Sequence, residues 1–403
     1  MTPFLLVALA AAGPAAAAPL PRIAVRGGRF VERDSGREFR PRGVNYIRLR
    51  PTWHGTFSPA RYDGARAEAM LADLAGRGLN AVRVFIDHQA GEGVVASADA
   101  VELSAKFMAN FLDFLARARG HRIYVVPALI HLPPSKRYRD IAGKAPAGIG
   151  GVNALYLHQG HVDAKARYAA DFAAAIKAHD PSLLTTVLAY ELDNETHLGA
   201  NAPPFSLTSG TLTPADGETY DLASEADLQR MADSCVNRWA DACRRAVREV
   251  DPEAMVSTNV FTFRAVGRSG PGRLRHDTTK DARFPARPLA LAASSLDYLD
   301  VHFYPFDART LDRDLESIEW PALKDACAKA GKPLIMGEFG AFKSAWKTLP
   351  EAAAAMRAHL RRVLGLGFVG YIYWTYDTDE QPFLWNAKSG QGEILDALTQ
   401  VGP

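Results

Sequence analysis

The sequence NAVRVFIDHQAGEGVVASADAVELSAKFMANFLDFLARARGHRIYVVPALI, residues 80–130, contains the structural unit on which the fold depends. Its two ends, residues 80–86 and 123–130, are apolar on both faces, which is typical of strands buried in a parallel sheet. Between them, residues 101–119 carry a helical pattern that stops at Gly120. The stretch therefore predicts a strand, a covering helix and a second, parallel strand.

The same alternation continues over most of the chain. Further strand-like runs, most of them separated by helical patterns, lie at residues 43–47, 184–192, 254–261, 296–304, 333–339 and 370–376. The clearest helix is expected over residues 224–250, where Ser224 can cap the first turn and apolar residues recur at spacings of three and four. About eight such units predict an α/β fold, a closed (β/α)8 TIM barrel, preceded by an N-terminal β-hairpin at residues 22–40.

An open, doubly wound sheet is the main alternative fold. It would usually carry a glycine-rich phosphate-binding turn after the first strand, and the sequence shows none there. The chain has 403 residues, whereas a typical barrel has about 250. The surplus lies at residues 131–161, 196–222 and 262–292, which all follow strand ends. We therefore expect long loops at the C-terminal face of a single catalytic domain over residues 19–403.

Composition excludes several classes of protein. The chain is 48% hydrophobic and 23% charged, and its 47 basic residues nearly balance its 45 acidic residues. This composition is ordinary for a globular protein and does not fit a disordered tail, a collagen or a coiled coil. A net charge of +2 gives no reason to expect nucleic acid as a partner. Three cysteines cannot form a disulfide framework, so we expect free, mostly buried thiols. We also expect a monomeric protein.

The N-terminus has the pattern of a targeting segment. Residues 4–12 are an apolar run, and small residues from Ala15 to Ala18 follow it. This predicts a signal peptide over residues 1–18 and a secreted or periplasmic protein, with a buried or disordered stretch as the alternative. The run is shorter than the roughly 20 residues that span a bilayer, so no stable membrane insertion is expected.

Side chains that can carry chemistry occur at or near the predicted strand ends. They are Arg83, His131, Asp193, Asn194, Glu195, His302, Tyr304, Glu338 and Trp374. In a barrel these positions converge on one cleft. Glu195 and Glu338, from separate strands, are the parts needed for glycoside hydrolysis, in which one carboxyl is protonated and the other is ionised.

The order of these residues resembles glycoside hydrolase family 5, the cellulase- and mannanase-like enzymes of clan A, from Gly43 to Asp377. The resemblance implies that Glu195 is the acid/base and that Glu338, in MGEFG, is the nucleophile. It implies supporting or substrate-binding positions for Arg83, His131, Asn194, His302, Tyr304 and Trp374. It also implies retaining hydrolysis of a β-linked glucan, mannan or related glycoconjugate, with an oligo- or polysaccharide as partner and neither metal nor cofactor.

Two features depart from this scheme. Thr196 follows the Asn-Glu pair where the family often has Pro. Strict strand alternation also places Glu191, Asp193 and Glu195 on one face and Asn194 on the other. A bulge at the strand end would bring Asn194 into the cleft.

Two other functions remain open from the sequence. A metal-dependent hydrolase could use imidazoles near the strand ends, namely His131, His158, His161 and His197. A catalytically inactive sugar-binding barrel is the second alternative. Aromatic residues in the loops are candidates for stacking on sugars, namely Trp53, Phe57, Trp346, Phe383 and Trp385. Residues 262–292 contain seven Arg or Lys residues against two Asp, which suits either an anionic glycan or a solvated loop.

Overall fold

The computed structural model describes residues 18–401. The predicted signal peptide, except for Ala18, lies outside the described residues. The strands are β1 (Ile23–Arg26), β2 (Arg29–Glu32), β3 (Glu38–Phe39), β4 (Arg42–Tyr46), β5 (Ala81–Ile86), β6 (Tyr124–Leu129), β7 (Tyr190–Glu191), β8 (His197–Gly199), β9 (Thr211–Leu212), β10 (Tyr220–Asp221), β11 (Val256–Ser257), β12 (Asn259–Phe261), β13 (Arg283–Pro285), β14 (Leu299–His302), β15 (Leu334–Met336), β16 (Ala341–Phe342), β17 (Gly370–Tyr373) and β18 (Leu384–Trp385).

The helices surround the sheet and also occupy parts of the long loops. They are α1 (Gly64–Gly76), α2 (Ala105–Gly120), α3 (Lys136–Ala142), α4 (Ala154–Leu157), α5 (Gln159–His179), α6 (Glu225–Val250), α7 (Pro288–Leu291), α8 (Thr310–Ser317), α9 (Trp320–Ala330), α10 (Leu349–Gly365) and α11 (Glu393–Thr399). Among residues 18–401, no helix has both the length and the apolar character that a membrane span requires.

The main sheet closes on itself. Over the described part of the chain it contains nine parallel strands in the order β11-β7-β6-β5-β4-β17-β15-β14-β12. The strands at its two ends, β11 and β12, are separated only by Thr258, so they are two halves of one interrupted strand. The predicted (β/α)8 barrel is therefore confirmed, with β11 and β12 together as its fifth strand.

The pattern of burial explains why these segments form a barrel. Every residue of β5 and β6 is buried, as expected for strands that contact the barrel interior on one face and helices on the other. On α6 the side chains that pack inward include Leu228, Cys235 and Trp239. Ser224 accepts a hydrogen bond from the Asp227 amide at 3.2 Å, so the helix begins where the capping pattern indicates.

The N-terminal segment folds as a three-stranded antiparallel sheet, β1-β2-β3, rather than as the simple hairpin expected from the sequence. Its apolar side chains, including Ile23 and Phe30, pack against residues at the starts of barrel strands, such as Tyr124 and Tyr298. The Phe30 and Tyr298 ring centroids are 5.4 Å apart. This sheet closes the N-terminal end of the barrel, so the opposite end is the one available for a site.

The fourth barrel strand is much shorter than the run at residues 184–192 predicts. The chain forms a 3-10 helix over Pro181–Thr186, and the Asp180 side chain accepts a hydrogen bond from the Ser182 amide at 2.9 Å. Proline suits the first turn of such a helix because that position needs no backbone N–H. Of the predicted run, Tyr190–Glu191 form the strand β7, and Val187 adds an isolated parallel bridge to Val125.

The long loops contain short elements of their own. Within residues 262–292, β13 pairs antiparallel with β8, which places Arg283 opposite Gly199 and Pro285 opposite His197. Because β8 begins two residues after Glu195, this pairing ties the third long loop to the end of the fourth barrel strand. In the described residues Cys235, Cys243 and Cys327 are all free and buried.

Close approach of β4 and β5 requires glycine at position 43. A Cβ atom added to Gly43 would lie 2.0 Å from the backbone oxygen of Ala81. We therefore expect Gly43→Ala to lower the free energy of unfolding in urea by at least about 1–3 kcal/mol, since a backbone atom must move. Gly120→Ala is the matched control, because a Cβ there meets nothing within 4 Å in the described structure, and it should be neutral or slightly stabilising. Equal losses in the two variants would contradict this account.

Candidate active site

The structure gathers the predicted polar residues at the C-terminal end of the barrel. Arg83 lies within β5, His302 is the last residue of β14, and Glu338 follows β15 by two residues. Asn194 and Glu195 follow the short strand β7. The carboxyl ends of these parallel strands meet at one end of the barrel, which explains why residues distant in sequence come into contact.

Arg83 lies at the centre of the site and is fully buried. Its Nε donates to Glu191 Oε2 at 2.5 Å, and its Nη1 donates to Glu338 Oε1 at 2.7 Å and to Asn45 Oδ1 at 2.9 Å. Its Nη2 donates to Asn194 Oδ1 at 2.8 Å. One guanidinium on β5 therefore positions side chains that lie in or just after three other barrel strands, β4, β7 and β15. Its own pKa is raised: burial disfavours the charged form, but the two carboxylates outweigh that effect.

Glu338 is buried and accepts two strong hydrogen bonds. Arg83 occupies Oε1, and the Tyr304 hydroxyl donates to Oε2 at 2.8 Å. Burial raises the pKa of Glu338, and the neighbouring Glu195 charge adds to this, while His302, Arg83 and the Tyr304 hydrogen bond act in the opposite direction. The two donors fix both oxygens of this carboxyl in space.

The segment around Glu195 explains how Asn194 and Glu195 both reach the cleft. The chain leaves the sheet after Glu191, and Glu195 adopts a left-handed backbone with φ of 50°. Asn259, on β12, holds this turn: its side-chain oxygen accepts from the Glu195 amide at 2.5 Å, and its backbone oxygen accepts from the Thr196 amide at 2.9 Å. The alternation of a regular strand therefore does not apply here, and a turn takes the place of the expected bulge.

Glu195 lies beside two cationic or potentially cationic groups. His302 Nδ1 is 3.3 Å from Oε1, and Arg283 Nη1 donates to Oε2 at 3.2 Å. Burial raises the pKa of Glu195, but the hydrogen bond and charge of His302 and the charge of Arg283 outweigh this, so the pKa lies below its usual value. One carboxylate oxygen of Glu195 lies within 4.8 Å of one of Glu338.

His302 lies between the two glutamates. Its Nδ1 is also 3.6 Å from Glu338 Oε2. Burial disfavours the imidazolium, but Glu338 and Glu195 outweigh this effect and raise the pKa of His302. A single imidazole thus faces both carboxylates of the site.

His131 and Trp374 occupy the margins of the site. His131 has a left-handed backbone with φ of 45°, and its amide donates to Asp193 Oδ1 at 3.0 Å. Its ring is 45% exposed, with Nδ1 3.5 Å from Asp193 Oδ2. Trp374 is half-buried, meets Phe85 edge-on at 5.5 Å and donates to Gln381 at 2.8 Å. Trp374 and its apolar neighbours form a floor next to the polar network.

Sequence reasoning missed the roles of several buried polar residues. Asn45 contacts Arg83, Asn259 holds the Glu195 turn, and Asp300 Oδ1 accepts from the Gly337 amide at 2.6 Å. All three lie within otherwise apolar strands, and that pattern is the signal that could have identified them. Arg283 carried no comparable signal, because its contact with Glu195 depends on the pairing of β13 with β8.

The predicted sugar-stacking aromatics divide into three groups. Phe57 is fully buried in the core, so that prediction is wrong. Trp346 and Trp385 are half-buried, and their indole N–H groups donate to Pro305 O at 3.3 Å and to Trp346 O at 2.8 Å. Trp53 and Phe383 are 65% and 52% exposed and therefore available to a ligand.

An exposed aromatic stack lies near Tyr304. Phe342 stacks on Phe306 at 5.0 Å and on Phe383 at 6.1 Å, and its ring is 5.5 Å from that of Tyr304. Phe306, which the sequence analysis did not single out, is 51% exposed. The stack therefore extends from a residue of the candidate site to the protein surface.

The structure separates the histidines of the metal hypothesis. His158 and His161 hydrogen bond to each other, with their Nδ1 atoms 2.8 Å apart. Among residues 18–401, the groups of ligand-type side chains close enough to share one ion are Glu195–His302–Glu338 and His54–Asp87–His88. His131 and His197 belong to neither group.

Arginines of the basic loop mainly contact the protein itself. Arg268 and Arg275 donate to backbone carbonyls, and Arg287 contacts Glu319 at 2.6 Å and Asp233 at 3.2 Å. These contacts favour a structural role for the loop rather than a free cationic surface.

One family of known proteins matches most of the sequence. The model of the family described as Cellulase (glycosyl hydrolase family 5) matches residues 33–380. A search of curated proteins gives no match.

Similar solved structures include three enzymes. The endo-1,4-beta-mannanase from Rhizomucor miehei has 16% identity and a TM-score of 0.61, covering 94% of this chain and 97% of that one. The endo-beta-1,4-mannanase from Thermotoga petrophila has 13% identity and a TM-score of 0.60, covering 91% and 77%. A family 5 mannosidase from Rhizomucor miehei, in complex with mannosyl-fructose, has 12% identity and a TM-score of 0.58, covering 94% and 96%. At such identities these likenesses show the fold, whereas the family match covers well over half of the sequence. The chain therefore belongs to glycoside hydrolase family 5.

Proposed function

We propose that this protein is a retaining β-glycosidase that hydrolyses a β-linked mannan or manno-oligosaccharide by double displacement. The proximity of the two glutamates carries the proposal: carboxylate oxygens of Glu195 and Glu338 lie within 4.8 Å of each other. Retaining enzymes place their carboxyl groups about 5–5.5 Å apart, whereas inverting enzymes need roughly 6.5–9.5 Å to admit a water molecule. The mannan-acting enzymes among the similar structures support this substrate over a glucan.

The reaction divides into two steps with balanced proton transfers. In the first, a Glu338 oxygen bonds to the anomeric carbon, the glycosidic C–O bond breaks, and Glu195 gives its proton to the leaving oxygen. In the second, Glu195 takes a proton from water, the water oxygen bonds to the anomeric carbon, and Glu338 is released as a carboxylate. Arg83 and Tyr304 hold Glu338 in place through their hydrogen bonds of 2.7 and 2.8 Å.

The pKa shifts of the free protein run opposite to the order that the first step requires. In the free protein, the pKa of Glu195 is lowered and that of Glu338 is raised, whereas the first step needs a protonated Glu195 and an ionised Glu338. Positive charge that develops at the anomeric carbon favours ionised Glu338, and negative charge that develops on the leaving oxygen favours protonated Glu195. We therefore expect bound substrate to shift both pKa values toward the states that the first step uses.

We also propose that residues 1–18 direct export of the protein. The apolar run at residues 4–12 and the small residues before Pro19 support this.

Exchange of the two glutamates tests the mechanism. We expect Glu338→Gln to abolish hydrolysis of β-mannan and aryl β-mannosides, because it removes the attacking carboxylate. Glu195→Gln should reduce hydrolysis of mannan by about 10²–10⁴-fold, the usual contribution of general acid catalysis. Glu249→Gln, an exposed exchange on α6, is the control and should retain full activity. Proton NMR should detect the β anomer as the first product. An α anomer would overturn the assignment of Glu338, and sugar binding without turnover by the unaltered protein would identify an inactive binding barrel.

The Arg283–Glu195 contact predicts a shift in pH dependence. The Arg283 charge stabilises ionised Glu195 and so lowers its pKa. Arg283→Gln should raise that pKa, so in the substrate complex Glu195 stays protonated to higher pH and the alkaline limb of kcat moves to higher pH. Arg287→Gln is the matched control, because Arg287 pairs with Glu319 and Asp233 instead. The prediction fails if the alkaline limb is unchanged in Arg283→Gln or moves equally in both variants.

Export has its own test. Expressed with its native N-terminus in a bacterial host, the protein should be recovered from the periplasm or medium with a mass lower by about the first 18 residues. Leu6→Arg interrupts the apolar run and should leave the uncleaved chain in the cytoplasm. Recovery of uncleaved protein outside the cytoplasm would contradict the prediction.

A further inference from the structure

A second cluster of chemistry-bearing side chains lies on the catalytic face of the barrel. His54 lies in the loop after β4, and Asp87 and His88 directly follow β5. One ligand-type atom of each residue lies within 4.8 Å of the others, and His88 Nδ1 is 3.9 Å from Asp87 Oδ1. The reaction proposed above uses none of these side chains.

The two imidazoles have unsatisfied nitrogens. Over residues 18–401, the buried Nδ1 atoms of His54 and His88 have no hydrogen-bond partner. Leaving a buried polar atom without a partner is unfavourable by about 1–3 kcal/mol, so such atoms are uncommon in folded proteins. Both orphaned nitrogens belong to residues that form one cluster with Asp87, which indicates that a ligand completes the group.

Neighbouring residues hold all three side chains in place. The His54 ring stacks on Phe85 at 5.4 Å with an interplanar angle of 12°. The His88 ring meets His131 edge-on at 5.0 Å. The Thr52 hydroxyl donates to Asp87 Oδ2, and the Gln89 amide donates to Oδ1 at 2.9 Å. These contacts reduce the ordering that a bound ligand would require.

We propose that His54, Asp87 and His88 form a binding site for one divalent transition-metal ion of the zinc type. Two imidazoles and one carboxylate form a three-ligand set that leaves a fourth position open to water or a sugar hydroxyl. Imidazole favours Zn²⁺, Cu²⁺ or Ni²⁺ over Mg²⁺ or Ca²⁺. Tetrahedral Zn²⁺ with bonds of about 2.0–2.1 Å needs donors roughly 3.3 Å apart, so binding requires the side chains to close in from 3.9 Å between His88 and Asp87 and from separations of up to 4.8 Å within the group.

The ion would link the loop after β4 to the end of β5 at the margin of the cleft. This role is separate from the two glutamates, so the inference does not depend on the proposed function. A ligand that binds only the folded state also stabilises it, and Zn²⁺ should therefore raise Tm.

Zinc titration tests the proposal without any substrate. The chelator-treated protein, purified without a polyhistidine tag, is titrated with ZnCl₂ by isothermal calorimetry. We expect one ion per chain and a weakening of at least about tenfold in His54→Ala and in His88→Ala. His158→Ala removes an imidazole from the other histidine pair and should leave the affinity unchanged. Glu338→Gln tests the other cluster, Glu195–His302–Glu338, and should also leave the zinc affinity unchanged.

A crystal of the unaltered protein with Zn²⁺ provides a measurement that does not depend on the variants folding. Anomalous scattering at the zinc edge should place one peak among His54, Asp87 and His88. Absence of binding, a peak elsewhere, or an affinity that depends on Glu338 or His158 instead would overturn the proposal. If His54→Ala and His88→Ala raise KM for mannan while no Zn²⁺ binds, the imidazoles bind sugar hydroxyls and the metal site is refuted.

Discussion

The buried guanidinium of Arg83 is the interaction on which the rest of the site depends. Taking a charge out of water is unfavourable by several kcal/mol, so a buried Arg must have its charge balanced and its donors satisfied. Arg83 meets both conditions with Glu191 and Glu338 as counter-charges and Asn45 and Asn194 as further acceptors. Arg83 and these partners together come from four barrel strands, so the network is complete only when the barrel is closed. Removing either carboxylate would leave part of the guanidinium charge uncompensated in the interior, and breaking a buried ion pair typically destabilises a protein by about 3–5 kcal/mol.

The barrel and the central residues of its site could be predicted from the sequence, whereas the details of the fourth strand could not. Runs that are apolar on both faces identified the barrel, because burial on both faces leaves a composition that other strands lack. Arg83 and Glu338 interrupt such runs or stand at their ends, and this made them visible. The fourth strand was harder to predict, because Pro181 and the Asp180 cap begin a 3-10 helix that takes in the start of the apolar run, residues 184–186. Periodicity describes regular elements and gives no information about where a local cap ends them.

The position of Glu195 shows a second limit of the sequence. The alternation of side chains along a strand predicts that Asn194 and Glu195 lie on opposite faces. In the structure Glu195 has a left-handed backbone instead, and the Glu195 and Thr196 amides donate to Asn259. Arg283 lies 88 positions after Glu195 in the sequence and contacts it because β13 pairs with β8. No local pattern encodes such a pairing, so the charge environment of the acid/base residue could be obtained only from the fold. That environment matters, because Arg283 and His302 lower the pKa of Glu195, the residue proposed to donate a proton.

The two clusters of ligand-type side chains on this face differ in what already satisfies them. In Glu195–His302–Glu338, the carboxylates bond to Arg83, Tyr304 and Arg283, so cationic or hydroxyl donors already occupy the positions that a metal ion would take. In His54–Asp87–His88, the buried Nδ1 atoms face no donor or acceptor among residues 18–401. Donor groups compete with a metal ion for the same lone pairs, and a metal ion beside Arg83 would also meet its positive charge. The same barrel end thus offers one cluster whose carboxylates are paired with cationic groups of the protein and one whose two imidazole Nδ1 atoms have no partner among residues 18–401.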